Sequence, residues 1–564
     1  MRRARPVAIA AALILLAALL VAFGRTLFGT WHAAGDHAVI AMRTLDVGGR
    51  HTPLVGPYSR YGWSHPGPAL FFALAPVLRL FGDRDIGTLA GAVVLNGLAL
   101  GCMFVVLWKR RDTAALVITT LVATILVLSL GGRGILDPWN PYVIVLPLLA
   151  AVICAWTAVA GGRWSLVATV VLASFVAQSH IGSAPAAVAL VGFSFVWVGI
   201  DALRARGRAR RRRLGSLGYA LAAGVLVWLP PMIQAVTTDG GNLRAIWDFW
   251  TTPHPVSGFA QGARLVGPQF AIPAPWMGAH ENVALGGALA PSSNNFPIAL
   301  ILLVAVAIFA ARKRDREALV LCSLAATLAA ATWIAASRVV GIEYVYLLRW
   351  AWVAGATAWL AVLWTAWRLI PERAHVLREG ALLVAGGVAC VLAVLVVVSA
   401  ARASYPEQLE SNLLAAVRGP TLATMRASRQ PVLIENGLSL RSSGIATALV
   451  LEAEHAGINA RLDPSSAFRV GSQRTTRAPA QTMLWVASDD ELPASLGDPR
   501  NRLIVRDDSL SPAERRELTR LEHAVDNDIY KLIALKRDHR ADYDRLVSLE
   551  TRGAGVAVFE RVAP

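Results

Sequence analysis

The sequence is short of charged residues and of cysteine. Of its 564 residues only 16% are Asp, Glu, Lys or Arg and 55% are hydrophobic, whereas a soluble chain usually carries about 25% charged residues. This deficit excludes a cytosolic enzyme and a disordered protein. The four cysteines all lie inside apolar runs, so neither a disulfide scaffold nor a zinc site is indicated. The sequence also lacks a Walker A loop and a glycine-rich dinucleotide turn, which excludes the common nucleotide-binding motifs.

The net charge of +17 belongs to one part of the chain. Residues 401–564 hold 22 basic and 22 acidic side chains, so the whole excess falls on residues 1–400. In a chain rich in apolar runs, Lys and Arg clusters set the orientation of the membrane spans. We therefore attribute the charge to membrane topology and expect no nucleic-acid partner.

Long apolar runs predict a mainly α, polytopic transmembrane bundle of about eleven spans. Placing every basic cluster on the cytoplasmic side puts the N-terminus inside the plasma (inner) membrane and the C-terminus outside it. Segment 66–82 contains three prolines and an arginine, and a crossing there would turn the arginines of 204–213 outward. We expect an interfacial helix at 66–82 instead. The predicted spans are 7–24, 88–108, 114–131, 141–161, 164–181, 184–203, 215–236, 296–311, 318–337, 347–367 and 381–400.

The composition divides the chain into two modules. Residues 1–400 form the predicted transmembrane module, with a first outer loop at 24–87 and a large outer loop at 237–296. After residue 400, short apolar strands alternate with helical stretches, which is typical of a small α/β domain. We expect this domain, 401–564, to be soluble and extracytoplasmic. Its predicted strands are 431–434, 482–486, 502–505 and 555–559, and its predicted helices include 441–456 and 511–525.

Polar side chains gather in the first outer loop, soon after the first span. Asp36 comes first, Arg43 follows, and a compact patch of Arg, aromatic and His residues occupies 60–68. Ionisable groups at a membrane face tend to mark function, because charge close to lipid is costly. The ordinary polarity of an exposed loop does not account for an acid followed by such a patch. The pattern therefore indicates a functional site at the outer face.

These features resemble the GT-C glycosyltransferases, which include the lipid A aminoarabinose transferases and the protein O-mannosyltransferases. The resemblance rests on Asp36 in a long first loop, on the turn His65-Pro66-Gly67-Pro68, and on the helix that ends Leu80-Phe81-Gly82. It implies an integral-membrane glycosyltransferase in which Asp36 is the catalytic base. It also implies a sugar donor linked to polyprenyl phosphate in the lipid bilayer. The acceptor would be a cell-envelope glycan, glycolipid or protein.

Sugar transfer from a lipid phosphate needs few further groups. A departing phosphate is stabilised by positive charge, best by Arg, because its planar fork matches phosphate oxygens. The attacking hydroxyl needs a carboxylate within reach, and one direct displacement inverts the anomeric centre. The predicted donor-phosphate ligands are Arg60, His65, Arg43 and Arg349. The predicted residues of the substrate pocket are His37, Tyr61, Trp63, Asp137, Asn140 and His180.

The sequence predicts no resident metal, although it leaves a divalent cation open. Asp83-Arg84-Asp85 matches the Asp-x-Asp pattern that holds Mg²⁺ or Mn²⁺ in nucleotide-sugar transferases. The pattern is short, and Asp526-Asn527-Asp528 and Asp542-Tyr543-Asp544 match it equally well.

Two other functions stay open at this stage. A transporter or flippase of lipid-linked sugars requires ionisable residues near the membrane midplane and interrupted helices. Pro230-Pro231 favours this alternative, whereas the nearly uncharged interiors of the spans favour the enzyme. A non-catalytic envelope scaffold acting through 401–564 would leave the cluster around Asp36 unexplained.

Overall fold

The computed structural model describes residues 3–281, 288–289, 296–477, 482–525, 531, 534–535, 538–553 and 555–561. Contacts divide the chain into two compact units. The first unit comprises Met1–Gly29 and Pro53–Pro406, and the second comprises Thr30–Thr52 and Glu407–Pro564. The units differ from the predicted modules in two respects: residues 30–52 of the first outer loop belong with the C-terminal part of the chain, and residues 401–406 belong with the first unit.

Helices make up most of both units. Nine helical segments of the described residues are long and apolar enough to cross a bilayer, and three shorter apolar helices accompany them. The chain is therefore a multi-pass membrane protein, as predicted. In chain order the described helices are α1 Ala4–Phe28, α2 Gly35–Leu45, α3 Ala69–Leu80, α4 Ile86–Arg110, α5 Thr113–Leu136, α6 Asn140–Val143, α7 Val145–Val159, α8 Ser165–Ser179, α9 Ala184–Arg204, α10 Gly207–Thr237, α11 Gly241–Thr251, α12 Gly258–Val266, α13 Ile298–Arg312, α14 Arg316–Ser337, α15 Trp352–Leu369, α16 His375–Arg402, α17 Gln408–Ala427, α18 Leu440–His455, α19 Ala467–Val470, α20 Leu492–Gly497, α21 Pro512–Val525 and α22 Arg540–Arg552.

Every predicted span falls on a helical segment, but three of these helices are short. α7, α8 and α13 have 15 residues each, so each rises only about 22 Å, against a hydrocarbon core of about 30 Å. The helix α6 extends α7 to a segment of 20 residues. The segment predicted to lie at the interface forms α3, which has 12 residues and contains Pro76. The sidedness of the termini stays a prediction.

Small residues allow the helices of the first unit to approach one another closely. α1 packs against α16 and α4, and its buried face is a stripe of alanines that includes Ala4, Ala8, Ala11 and Ala18. All residues of α7 are buried, which places this helix inside the bundle. Such van der Waals packing stabilises membrane bundles, because lipid tails are as apolar as the side chains.

The helix α10 continues through Pro230 and Pro231. A transporter site is expected at discontinuous helices, whose free ends coordinate the substrate. Because the helix is not interrupted at these prolines, the transporter hypothesis loses the feature that favoured it.

The second unit contains a five-stranded mixed sheet. The strands are ordered β2-β1-β3-β5-β4, with β1 parallel to β2 and β3, and β5 antiparallel to β3 and β4. The four predicted strands and the α/β class are confirmed, whereas the two-residue edge strand β2 was not predicted. The strands are β1 Val432–Asn436, β2 Ala460–Arg461, β3 Thr482–Ser488, β4 Asn501–Asp508 and β5 Gly555–Arg561.

Helices cover this sheet, and α2 is one of the helices of the unit. α18 packs on β1 and β3, and α2 packs on α18. The prediction treated 24–87 as a loop up to its interfacial helix, so α2 was missed. Its sequence, GDHAVIAMRTL, is largely apolar, which allows most of the helix to be buried.

Candidate active site

Asp36 is the second residue of α2 and is half-buried. The helix begins at Gly35, whose φ of +53° is a left-handed conformation that side-chain-bearing residues seldom adopt. A carboxylate in the first turn is stabilised by the positive end of the helix dipole. The predicted base therefore lies at the N-terminal end of a short helix in the second unit.

Close packing fixes this end of α2. Seven of its eleven residues are buried. A Cβ added to Gly444 of α18 would lie 3.3 Å from the Cα of Gly35, tighter than ordinary contact. The backbones can approach so closely because Gly444 has no side chain, and the approach helps to fix the start of α2, where Asp36 lies.

His37 is an interior residue of the second unit. Its Nδ1 lies 3.3 Å from Oε2 of Glu407, and its ring packs edge-on against Trp31 with centroids 5.6 Å apart. Only 2% of His37 is exposed. The structure therefore shows a packed imidazole beside a carboxylate, and its role in the substrate pocket stays a prediction.

Arg43 lies in a network of charges at the other end of α2. Its Nη1 donates to Oδ2 of Asp46 at 2.8 Å. Arg474 also donates to Asp46, from Nη1 to Oδ2 at 3.0 Å and from Nη2 to Oδ1 at 2.9 Å. The other side of Arg474 binds Glu454, with Nε to Oε2 at 2.7 Å and Nη2 to Oε1 at 2.9 Å. Arg43, predicted as a phosphate ligand, is thus paired with a carboxylate of its own helix.

The pKa values of the two guanidinium groups in this network shift in opposite directions. Burial lowers the pKa of Arg43; Asp46 opposes the shift and the nearby positive charge of Arg474 adds to it. Burial would also lower the pKa of Arg474, but its hydrogen bonds to Glu454 and Asp46 outweigh this and raise that pKa. Both side chains remain charged at neutral pH, and Arg474 is the better compensated of the two.

A second ion-pair chain holds the start of segment 30–52. Nδ1 of His32 lies 2.6 Å from Oε1 of Glu452, and Oε2 of Glu452 accepts from Nη1 of Arg418 at 2.9 Å. Burial alone would raise the pKa of Glu452, but His32 and Arg418 lower it. The carboxylate therefore stays ionised and holds His32 in place.

The first unit brings together three of the predicted residues: His65, His180 and Asn140. The rings of His65 and His180 have centroids 5.2 Å apart. Nδ1 of His180 faces Nδ2 of Asn140 at 3.4 Å, and Asn140 also donates to the carbonyl of Ser179 at 3.0 Å. All three predicted side chains are buried. They form a buried polar cluster where the helices α6, α8 and α9 begin or end.

His65 is held as a neutral imidazole. Its Nδ1 accepts a hydrogen bond from the backbone N–H of Ile181 at 3.1 Å, so the proton of the neutral ring is on Nε2. Burial, and then the neighbouring His180, lower the pKa of His65 well below its usual value. The ring can therefore donate a hydrogen bond from Nε2 at neutral pH without carrying a charge.

The backbone around His65 is tightly packed against Gln178. A Cβ on Gly67 would lie 2.2 Å from Oε1 of Gln178, and one on Gly56 would lie 2.6 Å from the carbonyl oxygen of Gly67. Nε2 of Gln178 donates to the carbonyl of Val227 at 2.9 Å, whereas Oε1 has no hydrogen-bond partner among the described residues. A side chain at position 67 would therefore have to displace Gln178.

Arg60 and Tyr61 bind the loop after α14. Nη2 of Arg60 donates to the carbonyls of Val340 at 2.8 Å and Ile342 at 3.0 Å. The hydroxyl of Tyr61 donates to the same Val340 carbonyl at 2.6 Å. The guanidinium of Arg60 also lies over the ring of Tyr344, 5.1 Å from its centroid. One nitrogen of the predicted phosphate ligand is therefore already occupied by backbone.

Trp63 belongs to an aromatic cluster that the sequence indicated only in part. It stacks on Tyr61 with centroids 5.7 Å apart and packs edge-on against Phe249 at 5.6 Å. Asn242, which was not predicted, holds the adjacent backbone: Nδ2 donates to the carbonyl of Ser64 at 2.8 Å, and Oδ1 accepts from its N–H at 2.7 Å. Segment 58–65 is thereby fixed against α11.

Arg349 is buried, with 8% of its surface exposed, and it is paired with Glu281. Nη1 lies 2.9 Å from Oε2 of Glu281, whose Oε1 accepts from Nε1 of Trp352 at 3.1 Å. The guanidinium lies over the rings of Trp352 and Tyr142, 4.2 and 5.4 Å from their centroids. Nε has no hydrogen-bond partner among the described residues. Glu281 was not predicted, and only its place in the large outer loop could have suggested it.

Asp137 and Asp544 take part in a turn and in an ion pair. Oδ1 of Asp137 accepts from the N–H of Trp139 at 2.9 Å, which shapes the turn between α5 and α6. Of the Asp-x-Asp candidates, Asp544 is paired with Arg540 at 3.0 Å, and Asp526–Asp528 lie outside the described residues. The absence of a resident metal, with a divalent cation left open, therefore stays a prediction.

The eleven predicted site residues fall into two sets. Asp36, His37 and Arg43 lie in the second unit, and the other eight lie in the first. Within the first unit, the His65 cluster, the Arg60–Trp63 aromatic cluster and the Arg349–Glu281 pair are each well ordered by hydrogen bonds or ring contacts. Residues that the sequence analysis missed are Asn242, Glu281, Glu454 and Arg474.

Comparison with known proteins rests on structure alone. No family model matches the chain, and no curated protein matches it. The crystal structure of ArnT from Cupriavidus metallidurans bound to undecaprenyl phosphate is similar, with a TM-score of 0.54 and 13% identity over 88% of this chain and 96% of that one. The apo structure of the same ArnT gives a TM-score of 0.51 and 12% identity over 87% and 95% of the two chains. The chain therefore has an ArnT-like fold, which confirms the polytopic helical fold class that the sequence predicted.

Proposed function

We propose that this chain is a membrane glycosyltransferase of the GT-C type. It moves a sugar from a polyprenyl-phosphate donor to a cell-envelope glycan, glycolipid or protein at the outer face of the membrane. The observation that carries the proposal is the fold shared with ArnT over 88% of the chain, in a structure that holds undecaprenyl phosphate. The membrane helices and the first-loop acid agree with it.

In this reaction the acceptor hydroxyl attacks the anomeric carbon of the donor sugar. The bond between that carbon and the phosphate oxygen breaks, polyprenyl phosphate leaves with the electron pair, and the hydroxyl proton passes to the carboxylate of Asp36. A general base of this kind contributes about 10²–10⁴ in rate. The attack comes from the face opposite the leaving group, so the anomeric configuration inverts.

Two groups in the first unit suit the donor phosphate. Arg349 keeps a buried charge and an Nε–H without a hydrogen-bond partner among the described residues, and such a donor favours an anionic ligand. His65 offers a neutral Nε2–H beside His180. Arg60 adds positive charge, although its Nη2 is bound to backbone carbonyls.

The proposed topology follows the distribution of basic residues. The N-terminus is cytoplasmic, and the second unit, with Asp36, is extracytoplasmic. A flippase of lipid-linked sugars is the main rival, and it loses support because α10 is continuous at Pro230 and Pro231.

The test uses purified protein in nanodiscs with a panel of radiolabelled polyprenyl-phosphoryl hexoses and pentoses and envelope extracts as acceptors. We expect label to move from the lipid to a water-soluble or glycolipid product, with release of polyprenyl phosphate. Movement of intact labelled lipid between leaflets without cleavage of the sugar–phosphate bond would favour the flippase and overturn the proposal.

A further inference from the structure

The helix α2 cannot position Asp36 by itself. It has eleven residues, and isolated helices shorter than about 12–15 residues are marginal in water. Its place is therefore set by the elements packed against it, among them α18 and α19 of the second unit. The contacts that hold α2 determine where its first-turn carboxylate lies.

The strongest polar contact on α2 is a clamp made by Arg474. This side chain is 3% exposed, and it holds Asp46 at the C-terminal end of α2 and Glu454 of α18 on opposite sides of one guanidinium. Nη1 also donates to the carbonyl of Val470 at 3.0 Å. Each nitrogen of the planar group thus donates to at least one acceptor, in an arrangement that a lysine cannot reproduce.

The clamp is well placed to control Asp36. Asp36 and Asp46 are ten residues apart, which is about 15 Å along a helix. The close approach of Gly35 and Gly444 holds the N-terminal end of α2. A change of tilt at the Asp46 end therefore displaces the carboxylate at the Asp36 end. Catalytic groups must be held within about 0.5 Å of their working geometry.

We propose that Arg474 is a positioning residue for Asp36, and that the C-terminal part of the chain is required for the chemistry because it holds the helix that carries the base. This inference rests on the proposed function only where it concerns turnover. It gives the C-terminal residues, which the sequence alone predicts only as a soluble domain, a role in the reaction. Together with residues 30–52, they form the compact unit that holds the base in place.

The first measurement does not depend on activity. Hydrogen exchange is followed in the full-length protein with Arg474→Lys and Asp46→Asn, and with Arg516→Lys as the matched control on the exposed face of α21. We expect at least tenfold faster exchange of the amides of α2 in the first two variants, with β3 and β5 unchanged. Unchanged exchange in α2 would overturn the clamp. Equal acceleration throughout the unit would also overturn it, because Arg474 would then stabilise the whole fold.

The second measurement is a double-mutant cycle on turnover. Arg474→Lys should lower kcat by about 10–100-fold, since misplacement of a catalytic group by about 1 Å costs this much, with little change in the KM for the donor. In the Asp36→Asn background the same change should cost nothing further, because no base remains to be positioned. An equal loss in both backgrounds would contradict a positioning role. Full turnover by Asp36→Asn alone would instead overturn the proposed base and leave the exchange result standing.

Discussion

The backbone N–H of Ile181 donates to Nδ1 of His65 at 3.1 Å, which fixes the tautomer of a buried imidazole. This bond joins the first outer segment to the break between α8 and α9, and it leaves Nε2–H as the donor. Because burial keeps the pKa of His65 well below its usual value, the ring serves as a neutral donor.

The neutral state of His65 predicts a loss of stability in acid. The unfolded chain takes up a proton at the ring below a pKa of about 6.5, and the folded chain does so only at much lower pH. The contribution of His65 to the free energy of unfolding is therefore fully present above about pH 6.5. It falls by up to about 1.4 kcal/mol for each pH unit below that value. Thermal unfolding in detergent between pH 5 and 8 measures this. His65→Gln should flatten the profile relative to wild type, while substitution of the exposed His51 by Gln should not. Parallel profiles for His65→Gln and wild type would contradict the assignment.

Glycine at position 67 is required by Gln178. A Cβ there would meet Oε1 at 2.2 Å, so Gly67→Ala must displace a buried amide that donates to Val227. We expect a loss of about 1–3 kcal/mol, which is typical of overpacking. The additional change Gln178→Ser should recover part of it. Gly387→Ala is the matched control, because its Cβ would enter open space within α16, and it should not destabilise. An equally stable Gly67→Ala protein would show that the turn can relax.

Glu281 neutralises Arg349 when no donor is bound. Glu281→Gln leaves a buried guanidinium without its carboxylate, which is costly, so the Tm of the ligand-free variant should fall. An anionic lipid phosphate should then compensate, and polyprenyl phosphate should raise the Tm of Glu281→Gln more than that of wild type. Glu372→Gln, at an exposed position, is the control. Equal lipid-induced shifts in all three proteins would exclude Arg349 as a phosphate ligand.

Loss of the guanidinium fork at Arg349 should weaken donor binding. Arg349→Lys keeps a positive charge but removes the planar fork that stacks on Trp352 and matches phosphate oxygens. We expect a KM for the donor raised by about tenfold or more, with a smaller change in kcat. Steady-state transfer rates over a range of donor concentrations give both parameters. An unchanged KM would remove Arg349 from the donor site.

The helical bundle and the sheet could be predicted because their signals are local. Long apolar runs indicated the spans, and short apolar runs between helical stretches indicated β1, β3, β4 and β5. The helix α2 was missed because it is short and lies in a segment rich in polar neighbours. Its Gly35 start and the acid at Asp36 match helix-start signals, which were attributed to a loop.

The partners of the site residues could not be predicted, because they are distant in sequence. Asp46 and Arg474 are 428 positions apart, and nothing local to either one identifies the other. The same holds for Arg349 and Glu281, and for His65 and Ile181. The residue types in the sequence thus identified candidate side chains. Their division between two compact units became visible only in the structure.

The most direct test of the central claim is the rate of sugar transfer by Asp36→Asn in nanodiscs, with the exposed Asp542→Asn from the same unit as control. Our account predicts that Asp36→Asn folds and binds polyprenyl phosphate like wild type, loses about 10²–10⁴ in kcat, and that Asp542→Asn stays fully active. Wild-type turnover by Asp36→Asn would contradict the account.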